Sequence, residues 1–337
     1  MMVLGIETSC DECAVAILED GRRILSSVVA SQIEDHRPYS GVVPEIASRR
    51  HGELIQPVFS RAMDEAGLTI RDIHGVAVTG RPGLLGALLV GLTFGKALAY
   101  SRGLPFVAVD HVRAHLHAPH IEHRIPYPYL GLLVSGGHTL ITRVDGFDDI
   151  TVLGTTIDDA CGEAFDKVAK HYGFGYPGGV AVDRLARRGD DGAFSFPDPS
   201  LHKGEHRFDV SYSGLKTAVT SQLDKFRNPG FPATAENIAA SFEKAAVNIL
   251  LRRLFRAVEE TGLTRVVAGG GVAANTRLRA TLMERTDLEV IFPSPELCTD
   301  NGAMIAALGC ELLRRGITSP WTENAQARVP GFKRSYP

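Results

Sequence analysis

The sequence has no long apolar run, no basic leader and few cysteines. The 337-residue chain lacks a stretch of about 18 consecutive apolar residues, which argues against a conventional membrane-spanning helix. Its first residues, MMVLGIETSCDECAVAIL, lack the basic segment and apolar core of a secretory signal. Five cysteines are an odd number in a chain of this length, and Cys10-x-x-Cys13 has no second pair with which to form a zinc knuckle. We therefore predict a cytoplasmic protein without disulfides or membrane contact.

The chain also lacks a large excess of charge of either sign. It has 36 Lys and Arg and 39 Asp and Glu, which gives a net charge of -3. This argues against a generally basic nucleic-acid-binding protein, so any contact with RNA requires local clusters. The clusters are Arg49-Arg50-His51, Arg184 with Arg187 and Arg188, Lys203 to Arg207, and Arg252-Arg253 with Arg256. The alternative for each is an ordinary solvated surface.

Two histidines, His111 and His115, are spaced to share one face of a helix that follows a predicted strand at residues 106–109. Neutral imidazoles suit a metal ion such as Zn or Fe, but a third ligand must then come from elsewhere in the chain. Alternatively, one histidine caps the helix and the other is exposed. Val112 stands where the protease signature H-E-x-x-H has its glutamate, so peptide hydrolysis would lack its general base.

Residues 132–144 predict a β-hairpin closed by a Gly-rich turn. An apolar run ends in Ser135-Gly136-Gly137-His138, and a second β-type run follows at residues 140–144. The N–H groups of such a turn can converge on a phosphate. An ordinary tight turn is the alternative.

The chain repeats one plan, which predicts two halves of similar architecture and fits a length that suggests two domains. Residues 3–19 and 131–144 each indicate strand, polar turn and strand. Residues 76–109 and 265–292 each indicate strand, Gly loop, helix and strand. A polar candidate ligand then follows each copy: His111 with His115 in the first and Asp300 in the second. If the halves face each other, these ligands meet between them, which strengthens the metal interpretation.

The segments between these copies have simpler patterns. Residues 44–66 and 236–260 show apolar positions at helical spacing and are predicted to be core helices with no chemistry of their own. Residues 159–172 predict a third helix. Residues 189–212 show little periodicity and are predicted to be a surface insertion or a loop that faces the substrate, and the tail at 320–337 is predicted to lie at the surface.

Motifs along residues 3 to about 310 resemble the TsaD family of bacterial tRNA threonylcarbamoyladenosine transferases, formerly described as O-sialoglycoprotein endopeptidases. They are Gly5-Ile-Glu-Thr-Ser-Cys-Asp-Glu12, Gly41-Val-Val-Pro-Glu-Ile-Ala-Ser-Arg49, His111-x-x-x-His115, Leu133-Val-Ser-Gly-Gly-His-Thr139, Asp158-Asp-Ala-x-Gly-Glu-Ala-Phe-Asp166, Tyr176-Pro-Gly-Gly179, Ser213-Gly-Leu-Lys-Thr217, Gly270-Gly-Val-x-Ala-Asn275 and Cys298-Thr-Asp-Asn-Gly302. One departure is Cys13, where the family usually has threonine.

The resemblance implies an α/β protein with the actin-like, Hsp70-like fold, built from two duplicated ribonuclease-H-like domains with an active-site cleft between them. The expected domains are residues 1–120 with 300–337, and residues 121–299.

It also implies a reaction: transfer of a threonylcarbamoyl group from threonylcarbamoyl-AMP to N6 of adenosine 37 in tRNAs that read codons beginning with A, with release of AMP. The expected partners are tRNA, threonylcarbamoyl-AMP or ATP and AMP analogues, the paralogue TsaB and the ATPase TsaE. The alternatives are an ATP-dependent kinase or ATPase of the same fold, a carbamoyltransferase with another acceptor, and a non-catalytic paralogue.

The resemblance assigns one divalent metal ion per subunit, Fe²⁺ with Zn²⁺ as the alternative, to His111, His115 and Asp300. It assigns substrate binding to Leu133, Val134, Ser135, Gly136, Gly137, Asp166, Gly179, Asp183 and Asn275. Asp11, Glu12 and His138 lie on predicted turns and are hypotheses for proton handling or placement of the acceptor. Alternatively, these three residues only order their turns.

Overall fold

The computed structural model describes residues 1–198, 206–222 and 234–328, and the chain divides into two units. Unit 1 comprises Met1–Ile125 together with the described residues from Pro293 onward, and unit 2 comprises Pro126–Phe292. The chain therefore leaves unit 1 after residue 125 and returns at residue 293, whereas the sequence analysis placed these crossings at 120 and 300.

Unit 1 is built on a five-stranded mixed sheet. Its strands are β1 (Met2–Glu7), β2 (Glu12–Glu19), β3 (Arg23–Ser31), β4 (Gly75–Arg81) and β5 (Phe106–Asp110). The spatial order is β3-β2-β1-β4-β5, with β1, β2 and β3 antiparallel and β1, β4 and β5 parallel. The central strands β1 and β4 are almost wholly buried, because both faces of the sheet are covered.

Unit 2 repeats this sheet. Its strands are β6 (Tyr129–Val134), β7 (Thr139–Val144), β8 (Ile150–Thr155), β9 (Arg265–Gly269) and β10 (Glu289–Ile291). The order β8-β7-β6-β9-β10 again joins an antiparallel meander to two parallel strands. The shared topology confirms the duplication and the hairpin predicted from the sequence.

The helices of the described residues follow the antiparallel strands of each sheet and connect its parallel strands. In chain order they are α1 (Ile33–His36), α2 (Pro44–Ala66), α3 (Leu85–Arg102), α4 (His111–His117), α5 (Pro119–Glu122), α6 (Cys161–Tyr172), α7 (Gly178–Ala186), α8 (Ser213–Thr220), α9 (Thr234–Thr261), α10 (Thr276–Met283), α11 (Pro295–Cys298) and α12 (Gly302–Arg314). The predicted core helices at 44–66 and 236–260 correspond to α2 and α9. No helix in the described residues is both long enough and apolar enough to cross a bilayer.

The last helix, α12, packs across β1, β2 and β4 of unit 1. Close approach is achieved by glycines, because a Cβ on Gly302 would lie 2.6 Å from the backbone nitrogen of Ala16 and 2.9 Å from the carbonyl oxygen of Gly5. Nearly every residue of α12 is buried. This apolar helix fixes the position of the residues just before it.

The predicted surface segments are described only in part, and the surface prediction is wrong for residues 208–212, which are buried in unit 2. Residues 199–205 of the 189–212 segment and residues 329–337 of the tail lie outside the described residues. The described part of the tail is mostly exposed, and it is tied to unit 1 by backbone hydrogen bonds from Ser319 to Phe106 (2.8 Å) and from Gln326 to Gly80 (2.9 Å).

Candidate functional site

The three predicted metal ligands converge within unit 1. Nε2 of His115 lies 3.0 Å from Oδ1 of Asp300, and Nε2 of His111 lies 3.6 Å from the same oxygen. The two imidazole rings are 4.6 Å apart and nearly perpendicular. One ligand atom from each residue falls within 4.8 Å of the others. Two imidazole nitrogens and one carboxylate oxygen are a donor set that suits zinc or ferrous iron.

Local structure accounts for the placement of each ligand. Asp110 ends β5 and caps α4, since its carboxylate accepts a hydrogen bond from the backbone nitrogen of Arg113 at 3.0 Å. The alternative in which a histidine caps this helix is therefore wrong. Asn301 caps α12 in the same way, through the nitrogen of Met304 at 2.8 Å. Asp300 is held immediately before that cap.

All three ligands belong to unit 1. This agrees with the domain expected from the family resemblance, residues 1–120 with 300–337, and differs from the interpretation in which the second copy supplies Asp300. Asp300 follows β10 of unit 2 in sequence, but the chain has already returned to unit 1 at Pro293. The physical reason is α12, whose buried residues pack on the unit 1 sheet and carry Asp300 with them.

Glu7, the last residue of β1, orients His111. Its side chain is fully buried, with Oε2 lying 2.9 Å from Nδ1 of His111 and accepting a hydrogen bond from the hydroxyl of Thr79 at 2.6 Å. The backbone nitrogen of Ser9 donates to its other oxygen at 2.5 Å. An Nδ1–H that donates to Glu7 leaves the lone pair of Nε2 on the side of Asp300, as in many metal-bound histidines.

Charge at this cluster favours a cation. Burial alone would disfavour a protonated His111, yet the charges of Glu7 and Asp300 raise the pKa of this imidazole to about 9. The same pairing lowers the pKa of Glu7 even though burial opposes it. Since the surroundings stabilise positive charge at His111, the residues fit a divalent ion held by His111, His115 and Asp300.

Asp11 and Glu12 also lie in unit 1, Asp11 at the end of the turn after β1 and Glu12 as the first residue of β2. The carboxylate of Glu12 accepts a hydrogen bond from the hydroxyl of Ser31 at 3.1 Å. Burial, followed by the negative charges of Asp11 and Asp300, raises the pKa of Glu12 well above its usual range. Glu12 is therefore in electrostatic contact with the ligand cluster through Asp300, and Asp11 is in contact with Glu12.

In unit 2, the Gly-rich turn joins β6 to β7 as predicted. It is closed by hydrogen bonds from the nitrogen of Ser135 to the carbonyl of His138 (2.8 Å) and from the nitrogen of His138 to the hydroxyl of Ser135 (3.1 Å). Leu133 and Val134 are buried strand residues, whereas Gly136 and Gly137 are exposed. The two glycines are thus the part of the turn that is open to a ligand.

Helix α6 begins directly against this turn. The nitrogen of Gly162 donates to the carbonyl of Ser135 at 3.2 Å, and a Cβ on Gly162 would lie 2.9 Å from Cα of Gly136. The positive end of the α6 dipole is therefore next to the exposed glycines, where an anion is favoured.

The remaining predicted substrate residues follow from α6 and α7. Oδ1 of Asp166 accepts a hydrogen bond from the nitrogen of Gly178 at 2.7 Å and so holds the first turn of α7. Gly179 is partly exposed, with open space where a Cβ would be. Asp183 lies further along α7 and accepts hydrogen bonds from the nitrogen of Thr276 at 2.9 Å and from the side-chain amide of Asn275 at 3.3 Å.

Asn275 links two carboxylates and a helix. Its Oδ1 caps α10 through the nitrogen of Leu278 at 2.9 Å, and its Nδ2 donates to Glu243 at 2.7 Å as well as to Asp183. Glu243 is almost fully buried, and burial raises its pKa.

Sequence reasoning missed Glu7 and Glu243. The signal for Glu7 was a carboxylate at the end of an otherwise apolar strand. Glu243 lies in α9, which was predicted to have no chemistry of its own, and its contact with Asn275 places it beside the assigned substrate residues. Hydrophobic periodicity could not identify Glu243, because a single polar residue on an apolar helix face does not change the helical pattern.

The basic clusters are not all solvated surfaces. Arg253 is 2% exposed, and its guanidinium donates to the carbonyl of Asp209 at 3.1 Å, so it is part of the interior of unit 2. Arg184, Arg187 and Arg188 are exposed on α7 and just beyond it. Residues 203–205 of the Lys203 to Arg207 cluster lie outside the described residues.

Sequence comparison finds similarity to one family along most of the chain. The family described as "TsaD: tRNA N6-adenosine threonylcarbamoyltransferase" matches residues 23–307. A protein of that name from Treponema denticola is 60% identical over 334 residues, which is 99% of each chain. Those from Treponema pallidum and Borreliella burgdorferi are 55% and 48% identical and cover 99% and 100% of this chain, and 95% and 96% of their own length.

Solved structures show likeness in fold. HypF from T. kodakarensis has a TM-score of 0.63 at 14% identity, over 94% of this chain and 48% of its own. Component A of the Acidaminococcus fermentans (R)-2-hydroxyglutaryl-CoA dehydratase has a TM-score of 0.52 at 18% identity, over 92% and 97%. Together with the two matching sheets, these likenesses confirm the predicted α/β fold of the actin-like type.

Proposed function

The chain belongs to the TsaD family of tRNA N6-adenosine threonylcarbamoyltransferases, and we propose that its donor is threonylcarbamoyl-AMP and that a metal ion assists the transfer. As a member of this family it is an acyltransferase that forms threonylcarbamoyladenosine at position 37 of tRNA. The observation that carries the metal proposal is the convergence of His111, His115 and Asp300, with Glu7 behind them.

The proposed reaction makes one bond and breaks another. N6 of adenosine attacks the carbamoyl carbon, the bond from that carbon to the phosphate oxygen of AMP breaks, and N6 loses a proton. Because an exocyclic adenine amine is a weak nucleophile, the site must polarise the carbonyl, stabilise the leaving phosphate and accept the proton.

His111, His115 and Asp300 would hold the metal, and Glu7 would keep His111 in the tautomer that binds it. A bound divalent ion supplies a Lewis acid for a phosphate or carbamoyl oxygen. Fe²⁺ is proposed with Zn²⁺ as the alternative, since two imidazoles and a carboxylate suit either ion.

For the AMP part of the donor, we assign the phosphate to Ser135, Gly136 and Gly137. Support comes from the exposure of both glycines and from the adjacent N-terminus of α6. We assign the nucleoside to the surface formed by Asp166, Gly179, Asp183 and Asn275 with the loop at 269–275, to which Leu133 and Val134 contribute as the supporting end of β6.

For the proton, the carboxyl group of Glu12 is the best supported candidate, with Asp11 beside it. A carboxyl group whose pKa is raised by burial and by neighbouring negative charges accepts a proton near neutral pH more readily than an ordinary glutamate. His138 remains a hypothesis for placement of the acceptor, and its main chain closes the Gly-rich turn.

Beyond tRNA, we propose the paralogue TsaB and the ATPase TsaE as partners, on the strength of the family resemblance alone. The rival function is ATP-dependent phosphoryl transfer on the same fold. Kinases of that kind hold Mg²⁺ with carboxylates and water, and two buried imidazoles suit that ion poorly.

The test is reconstitution with the partner proteins, threonylcarbamoyl-AMP and unmodified tRNA, followed by nucleoside mass analysis of the digested tRNA. We expect His111→Ala and Asp300→Ala to abolish the modified nucleoside and His120→Gln, at a histidine outside the ligand set, to retain it. Full activity of both ligand variants would remove the metal from the mechanism. A wild-type protein that consumes ATP but not threonylcarbamoyl-AMP would favour the kinase alternative.

A further inference from the structure

Three polar side chains, Gln32, His36 and His51, are buried beside the turn between β1 and β2, and we call them the polar triad. All three are 0% exposed. Gln32 and His36 lie one helical turn apart, since the nitrogen of His36 donates to the carbonyl of Gln32 at 3.1 Å. His51, on α2, is close enough to His36 for the two to interact electrostatically.

The polar triad is bonded to the backbone of the turn. Nε2 of His51 lies 2.9 Å from the carbonyl oxygen of Cys10, and the backbone nitrogen of Gln32 donates to the carbonyl oxygen of Asp11 at 2.9 Å. Two successive carbonyls are thereby fixed. Asp11 and Glu12, the candidate proton-handling residues, follow directly.

Hydrogen-bond geometry determines the tautomers of both histidines. A carbonyl can only accept, so Nε2 of His51 must carry its proton; burial, which lowers the pKa of His51, leaves Nδ1 as a bare acceptor. The backbone nitrogen of Val43 donates to Nδ1 of His36 at 3.3 Å, so that ring is neutral and its Nε2 carries the proton.

The other polar side-chain atoms of the polar triad include both hydrogen-bond donors and hydrogen-bond acceptors. Among the described residues, neither Nε2 of His36, nor Nδ1 of His51, nor either end of the Gln32 amide has a hydrogen-bond partner. They amount to two donor groups and two acceptors on three buried side chains. Buried groups of this kind are ordinarily satisfied by an enclosed water that makes about three hydrogen bonds.

We propose that the polar triad encloses ordered water and that His51 is a positioning residue, which holds Asp11 and Glu12 in register through the carbonyl of Cys10. The water satisfies His36, His51 and Gln32 and fixes the ring of His51, and the ring fixes the turn. The positioning role depends on the proposed function, in which Asp11 and Glu12 face the reacting groups. The water and the tautomers do not depend on it.

The first test addresses the polar triad without any assay of activity. Full-length protein with ¹⁵N-labelled histidine is examined by long-range imidazole ¹H–¹⁵N correlation, with signals assigned from His36→Gln and His51→Gln variants. We expect both rings as neutral Nε2–H tautomers, and density for water among the three side chains in a high-resolution crystal structure. A dry polar triad, or an Nδ1–H tautomer at His51, would overturn the proposal.

The second test addresses positioning by transfer kinetics. His51→Ala removes the donor to Cys10, whereas in His51→Gln the amide nitrogen takes the place of Nε2. Ile55→Ala is the matched control, since it truncates a buried side chain one turn along α2 without touching the turn. We expect kcat to fall about 10- to 100-fold in His51→Ala with little change in KM for tRNA, most of it restored in His51→Gln.

The comparison with Ile55→Ala separates positioning from a general loss of stability. A kcat for His51→Ala equal to that of Ile55→Ala, or no rescue by His51→Gln, would refute the positioning role. If the wild-type protein makes no threonylcarbamoyladenosine, the proposed function fails instead, and the tautomer and water measurements still decide whether the polar triad is as described.

Discussion

Glu7 is a fully buried carboxylate that is hydrogen-bonded to proton donors. It accepts from the hydroxyl of Thr79 and the backbone of Ser9 and faces the Nδ1 nitrogen of His111. A buried carboxylate is stable only when it is paired and hydrogen-bonded in this way. Its role toward the candidate metal is therefore to fix one tautomer of one ligand rather than to bind the ion.

We predict that Glu7→Gln lowers metal affinity by about 10- to 100-fold, the usual cost of losing a partner that orients a ligating histidine. The measurement is competition with a chelator, using Fe²⁺ under anaerobic conditions and then Zn²⁺. Glu19→Gln, at a partly exposed position at the end of β2, is the control and should bind as the wild type does. Equal affinities for both variants would show that Glu7 does not support the site.

His120 provides a prediction about pH. Its ring stacks on that of His117 with centroids 4.9 Å apart, and burial together with the charge of Arg22 lowers its pKa to about 4. An unfolded histidine has a pKa of about 6.5. Below pH 6.5 the unfolded chain therefore binds a proton that the folded chain does not, and the free energy of unfolding falls as the pH falls toward 4.

Replacing His120 with glutamine removes this proton linkage. The quantity to compare is the free energy of unfolding of His120→Gln minus that of the wild type. We expect this difference to be about 1 to 2 kcal/mol more positive at pH 5 than at pH 7.5. Denaturant titrations of both proteins at both pH values provide the four numbers. A difference between variant and wild type that is independent of pH would contradict the lowered pKa.

At the scale of elements, the backbones of α12 and β1 approach closely at Gly302 and Gly5. A Cβ on Gly5 would lie 2.5 Å from the backbone nitrogen of Ala306 and would also clash with the carbonyl of Gly302. By contrast, Gly52 on α2 has nothing within 4 Å of the same position. The two glycines therefore respond to one substitution in opposite directions.

We predict that Gly5→Ala destabilises the protein by about 1 to 3 kcal/mol, because overpacking pushes α12 away from the sheet. It should also reduce bound metal, since Asp300 immediately precedes α12. Gly52→Ala should stabilise by about 0.5 to 1 kcal/mol through helix propensity alone. The two purified variants are compared by thermal unfolding and metal analysis. Normal metal content in Gly5→Ala would show that metal binding does not depend on the position of α12.

These elements also show what the sequence could and could not predict. Apolar runs broken by Ser135-Gly136-Gly137 predict the hairpin, and periodicity predicts α2 and α9 within two residues, because both signals are local. Burial of a lone carboxylate such as Glu7 depends on which strands and helices meet around it. Local patterns do not contain that information, and so the residues that support the ligands were missed.

At the scale of the whole molecule, the return of the chain to unit 1 changes the interpretation of the site. Sequence order associates Asp300 with the second copy, since it follows β10, whereas the family resemblance places residues 300–337 in the first domain. Helix α12 places Asp300 in unit 1, because its apolar side chains are buried against the unit 1 sheet. Consequently the candidate metal ligands all lie in unit 1, and the residues assigned to AMP all lie in unit 2.

This division predicts that the two binding events are separable. We expect Asp300→Ala to lose the metal while its affinity for AMP stays within about threefold of wild type. We expect Asp183→Asn to keep the metal and bind AMP about tenfold or more weakly, since one charged acceptor is lost. Calorimetry with AMP and metal analysis of each variant test this.

Asp191→Asn is the control for unit 2, because its carboxylate is paired with Lys244 and Arg277 outside the assigned residues. It should retain both metal and AMP. A loss of AMP binding in Asp300→Ala would mean that the ion itself holds the nucleotide. The phosphate would then have to be reassigned from Gly136 and Gly137 to the ligands of unit 1, while the transfer reaction would stay as proposed.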